Sequence, residues 1–144
     1  MSGGLVVKSS SKNIRILVVD DFDMVRTMLR NILSDLGYVD LDDAANGAIA
    51  LDMIGDAHKN GTPYDIVFCD WNMPEVTGFE VLEVLRRTPT FATLPFVMVT
   101  AESDNKMVTR ALAAGANDYI VKPFQPAALD TKIKDIVLKL KKGL

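Results

Sequence analysis

The chain has 144 residues, of which 49% are hydrophobic and 24% charged, a balance typical of one globular domain. Its formal net charge of −3 argues against a nucleic-acid-binding protein, and no apolar run approaches the roughly 20 residues of a membrane span. Cys69 is the only cysteine, so no intrachain disulfide is possible, and we expect a cytoplasmic protein. Residues 1–12 are predicted to be a flexible N-terminal arm, and residues 13–144 a single domain.

Five short segments have the composition of β-strands. A weak candidate, Val39–Ala44, alternates apolar and acidic residues and is predicted to be an edge strand. The other four are near-continuous runs of branched apolar residues, which are typical of parallel strands buried on both faces. These four runs are Ile14–Val19, Ile66–Cys69, Phe96–Val99 and Tyr119–Val121.

Helical patterns follow the strands, with apolar residues recurring at spacings of three and four. The longest irregular segment, Asp56–Pro63, is predicted to be a surface loop that holds His58 in solvent. The strand–helix order, repeated five times, predicts an α/β fold with a doubly wound parallel sheet and right-handed crossovers. The predicted helices are Met24–Leu36, a segment capped by Asn46, a segment opened by the capping box Thr77–Glu80, Ser103–Gly115, and a segment starting just after Pro126.

Polar residues stand at the downstream ends of the four strong strands. Because the carboxyl ends of parallel strands open onto one crevice where the strand order reverses, we expect these groups to converge. In chain order they are Asp20–Asp21, Asp70, Thr100–Ala101 and Lys122–Pro123.

The chemistry of such a crevice favours phosphoryl transfer. Three neighbouring carboxylates raise one another's pKa, which a bound cation and the Lys122 ammonium would relieve, and an all-oxygen site suits Mg²⁺. The cation and Lys122 would neutralise an incoming phosphoryl group, while Thr100 and the backbone N–H of Ala101 would donate hydrogen bonds to it. The residues alone do not single out the attacking carboxylate. Asp70 is favoured by its central strand, and the adjacent Asp20 and Asp21 suit cation binding.

Four stretches resemble the receiver-domain family of two-component signalling, most closely its chemotaxis members. Their order and spacing match, and the likeness extends from about Asn13 to the C-terminus. The stretches are Val18–Phe22, Asp70–Pro74, Met98–Glu102 and Val121–Phe124. The resemblance implies a flavodoxin-like (βα)₅ fold with sheet order 2-1-3-4-5. It also implies that the protein is a monomeric switch and not an enzyme. Such a switch takes a phosphoryl group from a histidine kinase and signals by binding a protein, such as a flagellar motor switch protein.

The resemblance also implies residue roles. Asp70 would be the phospho-acceptor, and Lys122 and Thr100 would contact the phosphoryl group that it carries. The Lys122–Pro123 peptide bond would be cis. The implied Mg²⁺ ligands are Asp21, Asp70 and the backbone carbonyl of Asn72, with Asp20 acting through a water. Asn72 and Glu102 would tune dephosphorylation. The implied partner surface lies on the fourth helix, fifth strand and fifth helix, with Tyr119 as the switch aromatic beside Val108 and Lys132.

Three other functions share part of this pattern. A phosphate sink or phosphorelay intermediate would use the same site. A phosphatase with an aspartyl nucleophile also needs Mg²⁺, but it usually carries a second acid two residues after the nucleophile, where this chain has Asn72. A flavin or nucleotide binder needs a phosphate-cradling loop after the first strand, and the segment Asp20–Asp23 would repel phosphate there. Trp71 is expected to be partly exposed beside the site.

Overall fold

The computed structural model of the protein describes residues 13–101 and 105–142. The strands form one parallel sheet in the order β2-β1-β3-β4-β5, which confirms the predicted fold and order. The strands are β1 Arg15–Val19, β2 Asp40–Ala44, β3 Ile66–Asp70, β4 Phe96–Thr100 and β5 Asp118–Val121. The helices are α1 Asp23–Asp35, α2 Gly47–Lys59, α3 Gly78–Arg87, α4 Asn105–Ala113 and α5 Pro126–Lys142, with a short 3₁₀ helix at Pro89–Phe91.

The sheet is buried because helices cover both of its faces. Alternate residues of each strand point to opposite faces, so the central strands β1, β3 and β4 contribute to two separate cores. One core joins the sheet to α2, α3 and α4, and its central-strand residues are Leu17, Val19, Val67, Cys69, Phe96 and Met98. The other joins the sheet to α1 and α5, and its central-strand residues are Ile16, Val18, Ile66, Phe68, Val97 and Val99.

Local capping fixes where several helices begin and end. The Asn46 side chain accepts a hydrogen bond from the backbone N–H of Ile49 at 2.8 Å, as the sequence predicts. Both hydrogen bonds of the capping box between Thr77 and Glu80 are present at the start of α3. Gly37 follows α1 with a φ of +102°, in the left-handed region that glycine adopts at little cost. The caps at Asn46 and Thr77 begin the helices that follow β2 and β3, at the carboxyl edge of the sheet.

Two sequence predictions need correction. α2 continues to Lys59, so the first part of the predicted loop Asp56–Pro63 is helical. Backbone N–H groups of Asn60 and Gly61 close its last turn. His58 is therefore on a helix, although it is exposed, and its ring packs edge-on against that of Phe91.

Parts of other predictions lie outside the described residues. These are the N-terminal arm, residues 1–12, and the predicted start of the fourth helix at Ser103. No helix within residues 13–101 and 105–142 has the length and hydropathy needed to span a membrane.

Candidate functional site

Three carboxylates meet at the carboxyl edge of the sheet. Asp70 is the last residue of β3, and Asp20 and Asp21 directly follow the neighbouring strand β1. One carboxylate oxygen from each of the three lies within 4.8 Å of the other two. Asp20 and Asp70 are only 2% and 4% exposed. The predicted convergence of these acids is therefore present, with Asp20 and Asp70 buried and Asp21 partly buried.

The Lys122 ammonium is held between two of the acids. Lys122 follows β5, and its Nζ lies 2.9 Å from Asp20 Oδ2 and 3.3 Å from Asp70 Oδ1. Burial opposes its charged form, but the hydrogen bonds and charges of Asp20 and Asp70 outweigh burial and raise its pKa. The Lys122–Pro123 bond is cis, as the resemblance implied. A charged lysine is thus fixed at the acidic centre.

Asp70 differs from an ordinary aspartate because its pKa is raised from 3.8 to about 6. Burial is the largest cause, and the negative charge of Asp20 adds to it, whereas Lys122 lowers the pKa. Asp70 is therefore ionised at neutral pH, but the protein's own groups compensate its negative charge only in part. An ionised, poorly solvated carboxylate is a reasonable nucleophile toward a phosphoryl group.

The remaining acid, Asp21, has a carboxylate oxygen that the described residues leave without a partner. Its Oδ1 is buried and accepts no hydrogen bond from any group in the described part of the chain. By contrast, Asp20 Oδ1 accepts a hydrogen bond from the backbone N–H of Phe22 at 2.9 Å. Buried carboxylates usually have partners, and oxygen donors with excess negative charge are the ligands that Mg²⁺ prefers. The site therefore fits a divalent cation.

The other predicted site residues surround this centre to different extents. Thr100 is the buried last residue of β4, and its carbonyl accepts a hydrogen bond from the backbone N–H of Lys122 at 2.8 Å. Ala101 follows it and is exposed, and Asn72 is exposed in the loop after β3. Their predicted contacts with a phosphoryl group or a cation stay predictions. Glu102 lies outside the described residues.

The sequence matches the family described as response regulator receiver domain over residues 16–134. This match covers most of the chain and includes all the site residues above. The chain belongs to the response regulator receiver domain family. Receiver domains bind Mg²⁺ at an acidic pocket, and the three clustered aspartates of this receiver domain could hold such an ion.

This receiver domain is similar to chemotaxis proteins over nearly its whole length. It is 40% identical to chemotaxis protein CheY-3 of Vibrio cholerae serotype O1 over 130 residues, which cover 90% of this chain and 96% of that protein. It is 39% identical to chemotaxis protein CheY of Pseudomonas aeruginosa over 122 residues, covering 85% and 94%. The solved structure of Vibrio cholerae chemotaxis protein CheY4 is 31% identical, with a TM-score of 0.74 and coverages of 86% and 98%. The receiver domain is therefore CheY-like, consistent with two-component signalling and chemotaxis.

The predicted switch residues of the receiver domain lie on the expected elements. Tyr119 is on β5 and is partly buried, and Val108 is partly buried on α4. Lys132 reaches from α5 to within 2.9 Å of Asp118 Oδ1, and its Nζ lies 5.0 Å from the centroid of the Tyr119 ring. Tyr119 and Lys132 are thus brought together, while their roles in switching stay predictions.

One residue of the receiver domain was not predicted from the sequence. The backbone N–H of Gly78 donates to the carbonyl of Trp71, and a Cβ at Gly78 would lie 2.1 Å from the Asp70 carbonyl oxygen. A glycine at the first position of the capped helix α3 was the available signal, because glycine there permits a close backbone approach. Gly78 thus lets α3 pack directly against the backbone of Asp70.

The expectation that Trp71 is partly exposed was wrong. Trp71 is 7% exposed, because its ring stacks on Phe79 with the centroids 5.2 Å apart. The Arg110 guanidinium of α4 lies over both rings, 4.7 Å from the Phe79 centroid and 5.7 Å from that of Trp71. Contacts from α3 and α4 account for the burial, and the residues near Trp71 in sequence give no sign of them.

Proposed function

We propose that the protein is a phosphorylation switch of two-component signalling, which accepts a phosphoryl group on Asp70 from the phosphohistidine of a histidine kinase. The observation that carries the proposal is one buried carboxylate, Asp70, with the Lys122 ammonium 3.3 Å away and a further acid pair beside it. The domain that performs this function is proposed to span residues 13–144, somewhat beyond the family match over residues 16–134.

The cation site would use residues of two adjacent strand ends. Asp21, Asp70 and the backbone carbonyl of Asn72 would hold Mg²⁺, and Asp20 would act through a water. The bound ion would supply positive charge that neutralises the phosphoryl oxygens. Without the ion, the site sets three carboxyl groups against the single ammonium of Lys122, an imbalance that would repel a phosphoryl group.

The protein's own groups perform the transfer. A carboxylate oxygen of Asp70 attacks phosphorus, an oxygen–phosphorus bond forms, and the phosphorus–nitrogen bond of the phosphohistidine breaks with its electron pair leaving on the imidazole. Lys122 faces the oxygen on which the phosphoryl charge accumulates, and Thr100 and the backbone N–H of Ala101 would donate hydrogen bonds to it. Asn72 and Glu102 would set how readily water later removes the group.

The acceptor role is tested by intact-mass spectrometry of the protein incubated with Mg²⁺ and a small acyl phosphate. The wild-type protein should gain one phosphoryl group, and Asp70→Asn should gain none. Asp52→Asn is a matched control, since it removes an exposed carboxylate of α2 and should be labelled like the wild type. Labelling that persists in Asp70→Asn would remove Asp70 from the role. Steady hydrolysis of an added phosphomonoester would instead favour the aspartyl phosphatase.

The output is proposed to be phosphorylation-dependent binding of a downstream protein in chemotaxis, with a flagellar motor switch protein as the preferred partner. The similarity to proteins named as chemotaxis proteins supports this choice. Binding would use α4, β5 and α5, where Tyr119, Lys132 and Val108 lie. Phosphorylation would shift the population between two arrangements of this surface.

A pull-down with and without beryllofluoride, a stable phosphoryl mimic, tests the output. A downstream protein should be captured only with the mimic, and Lys132→Ala should weaken its capture. If the histidine kinase is the only protein captured in either condition, the phosphate sink becomes the better account.

A further inference from the structure

Arg26 lies behind the acid pair and contacts it through the main chain. Arg26 is in the first turn of α1, and its Nη1 donates to the backbone carbonyl of Asp20 at 2.6 Å. Its Nε donates to Asp43 Oδ2, at the end of β2, at 2.9 Å, and its Nη2 donates to Asp23 Oδ1. The side chain is only 12% exposed. One guanidinium thus joins the ends of two strands to the start of α1.

These contacts fix the segment that carries two of the three acids. Arg26 binds the backbone carbonyl of Asp20 and leaves the carboxylate to the site, where Oδ2 binds Lys122 and Oδ1 accepts from the backbone N–H of Phe22. Asp21, the next residue, has its Oδ1 buried without a partner among the described residues. A carboxylate oxygen without a hydrogen-bond partner has no contact of its own to fix it, so its position depends on how firmly the main chain of Asp20 and Asp21 is held.

We propose that Arg26 is a positioning residue for the divalent-cation site, acting through the main chain of Asp20 to hold the Asp20–Asp21 carboxylates in place. The inference rests on the proposed function, since it assumes that the acidic site binds Mg²⁺. Two effects of Arg26 have opposite signs. Its positive charge, near the acids, repels a cation, whereas its hydrogen bonds preorganise the ligands. The proposal states that the second effect is the larger.

The test is a titration with MgCl₂ that follows the fluorescence of Trp71, the only tryptophan, which directly follows Asp70. Arg26→Gln should weaken Mg²⁺ affinity about tenfold, the lower end of what loss of a ligand-orienting partner costs. Arg26→Lys should also weaken it, because one ammonium keeps the charge but does not reproduce the three-way contact of the guanidinium.

Arg30→Gln is the matched control. Arg30 lies one turn further along α1, and its Nη1 is 3.6 Å from Asp43 Oδ1, so this variant removes a cation from the same helix and the same acid. The Arg30 side chain is 44% exposed, and within residues 13–101 and 105–142 its ion pair is with Asp43 alone. Its Mg²⁺ affinity should stay within about twofold of the wild-type value, as expected of an exposed ion pair.

Unchanged or tighter Mg²⁺ binding by Arg26→Gln would overturn the proposal, as would full wild-type affinity in Arg26→Lys. Urea unfolding of each variant establishes that it is folded. Should Arg26→Gln not fold, Asp43→Asn removes the anchor of Arg26 and should weaken binding in the same direction, and an unchanged affinity there would overturn the proposal. A wild-type protein that shows no saturable response to Mg²⁺ would contradict the proposed function as well, so the two failures are distinguishable.

Discussion

The behaviour of Asp70 depends on neighbours that oppose each other. Burial and the charge of Asp20 favour its protonated form, and Lys122 favours its ionised form. Because the pKa of Asp70 in the folded protein is above its ordinary value of 3.8, the folded state retains this proton to a higher pH than the unfolded chain does. Folding is therefore favoured by Asp70 at low pH, and this contribution is lost as the pH rises to about 6.

The first prediction concerns stability and pH in buffer without divalent cations. As the pH rises from about 4 to about 7, the free energy of unfolding of Asp70→Asn should increase relative to the wild type by about 2 kcal/mol, because the variant has no carboxylate to ionise. Urea denaturation at several pH values measures this difference. A difference that stays constant over the range, or that decreases, would contradict the environment described for Asp70.

The second prediction concerns Lys122. Its Nζ contacts Asp20 Oδ2 and Asp70 Oδ1, so it competes with a cation for the same oxygens. Lys122→Ala should leave Mg²⁺ affinity unchanged or tighter, measured by Trp71 fluorescence, while impairing phosphorylation-dependent partner binding. Lys132→Ala, which removes a lysine paired with Asp118 at the opposite end of β5 from Lys122, should leave Mg²⁺ affinity unchanged. A large loss of affinity in Lys122→Ala would show that the ammonium does not compete with the cation.

The residues that converge at the site were predictable from the sequence, whereas their local supports were not. Asp20, Asp21, Asp70 and Lys122 each follow or end an apolar run, and parallel strands bring such ends together. The contacts of Arg26 depend on the relative placement of α1 and β2, which no local pattern specifies.

At the scale of elements, the site depends on how closely α3 approaches β3. A Cβ at Gly78 would lie 2.1 Å from the Asp70 carbonyl oxygen, which is backbone and has little freedom to move. The capping box of Thr77 and Glu80 fixes the start of the same helix. The capping box was predicted from the sequence because its signal is local, but the close approach at Gly78 arises only from tertiary packing.

The third prediction follows from this contact. Gly78→Ala should destabilise the protein by about 2–3 kcal/mol, the cost of forcing extra atoms into a packed site, and should slow phosphorylation of Asp70. Gly55→Ala is the control, because a Cβ at this position of α2 meets no atom within 4 Å. It should stabilise the protein by about 0.5–1 kcal/mol, as alanine does in a helix interior. Thermal and urea unfolding measure both, and equal effects would contradict the packing argument.

At the scale of the whole molecule, the fold could be predicted because four strands are near-continuous apolar runs and the helices carry apolar residues at spacings of three and four. The sequence predictions were wrong where tertiary contacts determine the structure. α2 continues to Lys59, and Trp71 is covered by Phe79 and Arg110. The sheet order is what makes distant segments one site, since β3 lies between β1 and β4 with their carboxyl ends aligned. The edge strand of this order, β5, connects two regions. Lys122 follows its end at the acidic site, and Tyr119 lies within it, packed against the core that the sheet shares with α2, α3 and α4.

The proposed phospho-acceptor site is tested most directly by a crystal structure of the protein with Mg²⁺ and beryllofluoride. We expect the beryllium to be bound to a carboxylate oxygen of Asp70, with Mg²⁺ on Asp21 and Asp70 and the Lys122 ammonium in contact with a fluorine. Beryllofluoride bound at another residue, or Mg²⁺ bound away from the three clustered aspartates, would contradict the central claim that the strand ends form a single phospho-acceptor site.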